Sequence, residues 1–287
     1  MRVLELFCGI GGCAAAVDGR GEVVTAIDQH QLGLSVYRDN WPHPIKVMNL
    51  VGARKDRLPE ADLWWMSPPC QPYTIRGAHR DLDDRRAESF KAVVAAIGEC
   101  RPSFLALENV PPFAESRAHD LIVGTLIDLG YEVKERMLCP TEFGIPAQRN
   151  RFYLVAGRGL KPFRDPQSES RTLADYLDDD ASPALDVEEE LKARFGHAFH
   201  VVNREDPDAV AACFTSAYGN SPVYAGSYLR DGDRLRRFSP RELLRFLGFA
   251  ESFKLPADLP LRKGWSLVGN SLSVPAVRSM LSAIPGL

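Results

Sequence analysis

The chain contains no run of 18 consecutive apolar residues, the minimum for a membrane-spanning helix. Its start, MRVLELFCGIGG, lacks the charged opening, long apolar stretch and cleavage site of a secretory leader. The expectation is a cytoplasmic protein that does not engage membranes. Six cysteines, at positions 8, 13, 70, 100, 139 and 213, form no C-x-x-C pair, which argues against zinc and leaves no metal site to expect. In a chain of 287 residues without an export signal they read as free thiols, not a disulfide framework. Positive charge is not in surplus: 35 Lys and Arg face 38 Asp and Glu, for a formal net charge of −3. Any contact with nucleic acid must therefore rest on a local patch. There is no internal repeat, no low-complexity tract and no sign of an obligate protein partner.

What is present is an alternation. RVLELF, EVVTAID, DLWWM, SFLALENV and RFYLVAG read as strands, separated by the helical patterns GGCAAAV, HQLGLSVYRDNW, AESFKAVVAAIGEC and AHDLIVGTLIDLG. Strand alternating with helix predicts an α/β fold with a mostly parallel sheet. From about residue 164 the texture becomes acidic and broken, then rich in Pro, Gly and Arg, before a closing helical stretch, VPAVRSMLSAI. The division this predicts is 1–163 with 264–287 as one domain and 164–263 as a smaller insertion.

The chemistry sits where strands end. In LELFCGIGG, Phe7, Gly9 and Gly11 follow a buried strand and precede a helix, so backbone can approach a cofactor closely. Asp28, 19 residues after Gly9, suits a ribose hydroxyl. NAD and S-adenosylmethionine both carry such a ribose, so these residues alone leave the cofactor open. In MSPPCQPYT three prolines stiffen a loop around Cys70 just past a strand, which holds a thiol in a fixed direction. A buried small hydrophobe is the bland alternative and a nucleophile the functional one. Glu108 closes another apolar run before the proline turn NVPPF, as a surface glutamate or as a partly desolvated proton donor. Arg149 and Arg151, alternating before FYLV, point to one face if the segment is extended and could polarise a carbonyl or anchor a phosphate.

In this order the pieces resemble the cytosine-C5 methyltransferase family: FCGIGG its cofactor loop, PPCQPYT its nucleophile loop, ENV its glutamate motif, RNR its arginine motif and VGNSLSVP its C-terminal cofactor motif, together spanning residues 4–277. The resemblance implies a doubly wound, Rossmann-like domain that binds S-adenosylmethionine, plus an inserted target-recognition domain. It implies that Cys70 adds to cytosine C6, that Glu108 protonates N3, and that Arg151, with Arg149 nearby, holds the O2 side. Gln71 and Thr74 would shape the base pocket, and Asn109 would support Glu108. Phe7, Gly9, Gly11 and Asp28 would hold the cofactor together with Asn270 and Ser271. Near VMNL the family often has an acidic residue where this chain has Asn49, so the adenine contact is assigned there only loosely.

The family holds mostly DNA enzymes and a branch that methylates a cytosine in the tRNA anticodon loop. Ala147 after GIP, Tyr73 with Thr74, and the stretch CFTSAYG at 213–219 resemble the tRNA branch, with Cys213 read as packing and not as a second nucleophile. Two basic clusters offer phosphate contacts: Arg230, Arg234, Arg236, Arg237, Arg241 and Arg245, and Arg76, His79, Arg80, Arg85 and Arg86. Each has a solvated surface as its plain alternative. The expected activity is methylation of cytosine C5 in tRNA, with DNA as the alternative substrate. A catalytically silent nucleic-acid-binding homologue would leave the joint presence of Cys70, Glu108 and Arg151 without purpose. A nicotinamide-dependent oxidoreductase would explain only the glycines and Asp28.

Overall fold

A computed structural model describes residues 1–74, 80–166 and 171–287. They form two compact units, one of Met1–Leu138, Asn150–Asp165 and Val277–Leu287, the other of Cys139–Arg149 and Pro166–Ala276. The segments 139–149 and 264–276 thus group with the second unit and not with the first.

The first unit is built on strands β1 (Arg2–Leu6), β2 (Glu22–Asp28), β3 (Ile45–Val47), β4 (Leu63–Met66), β5 (Phe104–Asn109), β6 (Glu132–Leu138) and β7 (Arg151–Gly157). Their spatial order is β3-β2-β1-β4-β5-β7-β6. The first five run parallel, and β7 lies antiparallel to both its neighbours. Helices α1 (Gly12–Val17), α2 (Gln31–Asn40), α3 (Glu88–Cys100) and α4 (Arg117–Asp128) lie in the connections between strands, as parallel pairing requires. The sheet is doubly wound and Rossmann-like, with β1 and β4 at the point where its order reverses.

Periodicity explains these elements. All four residues of β4 are buried, as expected for a strand covered on both faces. Trp64 and Met66 join Leu4, Leu6, Leu105 and Leu107 in one core, the same-face residues of three adjacent strands. Helix α3 adds Phe90, Val93, Val94 and Ile97, spaced as one helical stripe. Strand β6 was not expected from the sequence, because EVKERML reads as charged surface. It is the sheet edge, where such charges discourage pairing with another chain.

The second unit holds helix α5 (Glu189–Phe195), a three-stranded sheet of β8 (Val201–Asn203), β9 (Tyr228–Asp231) and β10 (Arg234–Arg236), and helices α6 (Pro240–Phe246) and α7 (Leu261–Gly269). Ser239 and Glu242 cap α6 reciprocally, with Pro240 at its first turn. Helix α8 (Val274–Leu281) follows. Arg278 on its first-unit part donates to the carbonyls of Ala15 (2.9 Å) and Ala16 (3.3 Å) at the end of α1, as a cation at a helix C-terminus should. Among the described residues no helix is long and apolar enough to cross a membrane.

Candidate active site

Register places the chemistry of the first unit along one edge of its sheet. Leu6 pairs with Ile27 on one side and Met66 on the other, and Met66 pairs with Leu107. The residues just beyond these partners are Phe7, Asp28, the Cys70 loop and Glu108. They all emerge at the carboxyl ends of parallel strands beside the switch point, the usual crevice for ligands in such sheets.

The loop after β1 is held in unusual backbone. Phe7, Gly9 and Gly11 have φ of 57°, 53° and 92°. For Phe7 this is a strained conformation. At Gly11 a side chain is also excluded by space, since a Cβ would meet the Trp41 ring at 2.4 Å. Asp28 fixes the loop: its Oδ2 accepts from the Gly9 amide and its Oδ1 from the His30 amide, both at 2.9 Å. Two bonds leave further acceptor capacity on that carboxylate. Asn49 uses its Oδ1 to cap a short helical turn, accepting from Val51 at 3.0 Å.

Cys70 is half-buried in a turn whose Tyr73 and Thr74 amides both donate to its carbonyl, at 2.9 and 3.1 Å. Gln71 is exposed and Thr74 half-buried. Tyr73 is buried and anchors the loop in the core. Asn109 joins this loop to its neighbour: its Nδ2 donates to the Pro68 carbonyl at 3.3 Å while its Oδ1 accepts from Val110 at 2.8 Å.

Glu108 is 9 % exposed, and Arg151 Nε lies 3.2 Å from its Oε1. Glu108 pairs with Tyr153 across β5 and β7, so Arg151, two residues from Tyr153, is its diagonal neighbour on one face. A thiol, a nearly buried carboxyl group and a cation paired with it along one edge can add a nucleophile to a ring and manage the resulting charge.

Comparison with known proteins agrees with this geometry. The sequence matches the C-5 cytosine-specific DNA methylase family over residues 1–286. The chain belongs to that family. It is 29% identical to the tRNA (cytosine(38)-C(5))-methyltransferase of Schizosaccharomyces pombe, over 99% of this chain and 96% of the relative. It is 27% identical to the enzyme of the same name from Spodoptera frugiperda, over 99% and 98%. Among solved structures, a methyltransferase of Entamoeba histolytica superposes with a TM-score of 0.90 at 26% identity, covering 98% of this chain and 96% of that one.

Against the expectations for this C5 methylase family member, the arginines need correction. Arg149 does not share a face with Arg151. It belongs to the second unit and is 6 % exposed. Its guanidinium donates to the carbonyls of Phe214 (3.0 Å), Gly269 (3.1 Å) and Ser271. The reason is local: Ala147 bridges to Ala211, and the Gln148 amide donates to the Ala211 carbonyl at 2.7 Å. The chain therefore becomes part of the first sheet only at Arg151. Arg149 is a strut that ties the end of the 139–149 segment to CFTSAYG and to the start of the VGNSLSVP turn. Asn270, at the end of α7, is exposed.

Arg236 and Arg237 likewise do not form a solvent-exposed stripe. Arg236 is fully buried, with Glu242 at 2.8 Å and Asp231 at 3.2 Å. Arg237 is 9 % exposed and pairs with Glu188 at 3.3 Å. Arg234 pairs with Asp186 and Arg245 with Asp178, each at 2.7 Å. These cations neutralise acids of their own unit. In the other basic cluster Arg86 is engaged by Asp84 at 2.6 Å, while Arg76 and His79 lie outside the described residues.

The CFTSAYG stretch is packing. Phe214 meets the rings of Tyr218, Phe238 and Phe246, and Tyr218 Oη accepts from the Phe238 amide at 3.0 Å. A Cβ on Gly219 would strike Trp265 at 2.4 Å. Cys213 is half-buried beside the Phe214 carbonyl.

Glu5 went unnoticed in the sequence. Fully buried in β1, it accepts from the Cys13 amide at 3.1 Å and from Tyr37 Oη at 3.0 Å. Burial pushes its pKa up to about 8, against the opposing pull of those hydrogen bonds. It braces the start of α1 behind the glycine loop. The readable signal was a carboxylate set between leucines in an otherwise apolar strand.

Proposed function

We propose that this chain transfers the methyl group of S-adenosylmethionine to C5 of a cytosine in tRNA. The observation that carries the reading is Cys70 and the Glu108–Arg151 pair at one sheet edge beside the glycine loop. Cytosine C5 is a poor nucleophile. Addition of the Cys70 thiolate to C6 turns the ring into an enamine while Glu108 delivers a proton to N3, and the Arg151 guanidinium holds Glu108 and the developing charge near O2. S-adenosylmethionine supplies an electrophilic methyl on a sulfonium, which C5 takes up. Loss of the C5 proton to a base, elimination of the Cys70 thiolate and return of the N3 proton to Glu108 then restore the aromatic ring and the free enzyme. Gln71 and Thr74, in the Cys70 turn, would line the base.

The first unit's residues fit that cofactor. Nothing lies within 4 Å of a Cβ built on Gly9, so that stretch of backbone faces open space that a ligand can enter. Asp28 keeps acceptor sites for ribose hydroxyls, and Asn49 has an amide group to offer an adenine. Arg149 is assigned no catalytic part.

The preference for tRNA over DNA is supported by the names of the near full-length relatives, both tRNA (cytosine(38)-C(5))-methyltransferases, and by Ala147 and CFTSAYG. A loop cytosine is already partly unstacked, whereas a duplex base must first be flipped at a cost of about a few kcal/mol. Purified protein incubated with total tRNA and with genomic DNA, followed by bisulfite sequencing of both, tests this. A single methylated anticodon-loop cytosine is expected. Methylated DNA with tRNA untouched would overturn the substrate and leave the chemistry in place.

A further inference from the structure

The second unit contains a cleft of about 370 Å³ that none of the cytosine chemistry uses. Its size suits a small ligand or a single nucleotide, at the lower end of the roughly 300–1,000 Å³ common for such sites. Its wall combines Arg194, Arg237 and Arg262 with Glu188, Glu190 and Asn220. This is neither a plain anion site nor a plain cation site. It offers donors for phosphate or for purine O6 and N7, and carboxylates for ring N–H groups.

Two features show that the cleft is built. Arg237 is held from behind, its guanidinium 5.8 Å from the centroids of both Tyr228 and Trp265. Its Nε is buried and has no hydrogen-bond partner among the described residues. Gly219 leaves space for Arg262, whose Cγ would lie 3.2 Å from a Cβ placed there. The aromatic lining comes from Tyr218 and Phe195. Tyr218 is 2 % exposed and its hydroxyl donates to the Ser227 carbonyl at 2.6 Å, so it fixes the wall of the cleft and offers no free stacking face. Beyond Pro222 the bordering loop reaches Tyr224, 73% exposed and at φ 62°.

We propose that this cleft receives one unstacked guanine nucleotide of the nucleic acid substrate. The choice of base follows from the acids. Guanine N1–H and N2–H₂ form two adjacent donors that one carboxylate can accept together, whereas adenine and cytosine each place an acceptor nitrogen beside a single amino group. Glu190, exposed on α5, is the acceptor, and Arg194 and Arg262 take the phosphate or O6 and N7. Glu188 is committed to Arg237. The proposal rests on the reading that the substrate is a nucleic acid.

Guanosine 5′-monophosphate, adenosine 5′-monophosphate and inorganic phosphate, titrated into the full chain by calorimetry, test it. The guanine nucleotide is expected to bind about tenfold tighter than the other two, the effect of one good bidentate base contact. Arg262→Ala should weaken that binding about tenfold, and Glu190→Gln should remove most of the preference over the adenine nucleotide. In methyl-transfer assays Arg262→Ala should raise KM for tRNA more than it lowers kcat. Equal binding of all three probes, or guanine nucleotide binding indifferent to both substitutions, overturns the proposal. Selective guanine nucleotide binding by a protein that methylates no nucleic acid would sink the proposed function and leave the cleft standing. Normal methylation with wild-type KM in both variants would do the reverse.

Discussion

Tyr73 stands edge-on to Phe113, ring centroids 5.0 Å apart at 89°, so the loop bearing Cys70 and the turn after Glu108 share one aromatic contact. Phe113 is fully buried and also meets Phe90 and Phe152, at 5.8 and 5.6 Å. It therefore links both loops to α3 and to the strand carrying Arg151. Phe113→Ala should cost about 3–5 kcal/mol of stability in urea unfolding and lower methyl transfer as well. Tyr73→Phe should keep stability or gain about 1 kcal/mol, because the buried Tyr73 hydroxyl has no hydrogen-bond partner among the described residues. Marked loss in Tyr73→Phe would contradict an anchoring role for the ring alone.

Cys70→Ala should reduce methyl transfer by at least about a thousandfold while S-adenosylmethionine binding stays within a few fold, since the thiol attacks the base and not the cofactor. Wild-type protein given substrate containing 5-fluorocytosine should stall as a covalent adduct visible on a denaturing gel. Turnover of ordinary substrate without any such adduct would point to another nucleophile.

Glu108→Gln preserves shape and one donor but cannot transfer a proton. The rate of the chemical step should fall roughly 10²–10⁴-fold, with RNA binding nearly unchanged. Equal losses in single-turnover rate and in affinity would make Glu108 a positioning residue instead.

Glu5 predicts a pH dependence of stability. Its carboxyl is raised from 4.5 to about 8 in the folded state, so between those values the native protein holds a proton that the unfolded chain has released. Its contribution is fully present below about pH 4.5 and is lost as pH rises to about 8. Glu5→Gln should remove this dependence, and its stability relative to wild type should rise by up to about 1 kcal/mol per pH unit across that window. Urea unfolding of both proteins from pH 5 to 8.5 provides the comparison. Parallel curves would show that Glu5 ionises freely in the folded protein.

Arg236→Met should destabilise by about 3–5 kcal/mol, because it leaves Glu242 buried without its cation. Adding Glu242→Gln should recover much of the loss, since the amide oxygen still caps α6. The salt dependence of tRNA binding should not change in either variant. A flatter salt slope would restore Arg236 as a phosphate contact.

The parts of the site legible in the sequence were those whose chemistry dictates residue type. No other side chain replaces the thiol of Cys70 between its prolines, and Glu108 stands out by ending an apolar strand. The parallel strands were readable because burial on both faces leaves near-continuous apolar runs such as LWWM. The arginines were not, because a charge in sequence carries no record of its partner. Arg236 finds Glu242 only after β10 turns into α6, and the spacing of Arg149 and Arg151 predicts a shared face only if the strand extends through both. It begins at Arg151. Strand β6 was hidden for a related reason: an edge exposes charge that reads as surface.

The carbonyl acceptors of Arg149 lie 65, 120 and 122 residues further along the chain. A ribosome adding about 5–20 residues per second needs roughly 6 to 24 seconds to go from Arg149 to Ser271. For that time a guanidinium destined for near-complete burial stays in water, and the segments it will join do not yet exist. The second unit is thus completed late in synthesis, after every strand of the first sheet has been made, and nascent chains halted before Gly269 should lack the lock that holds Arg149 in place.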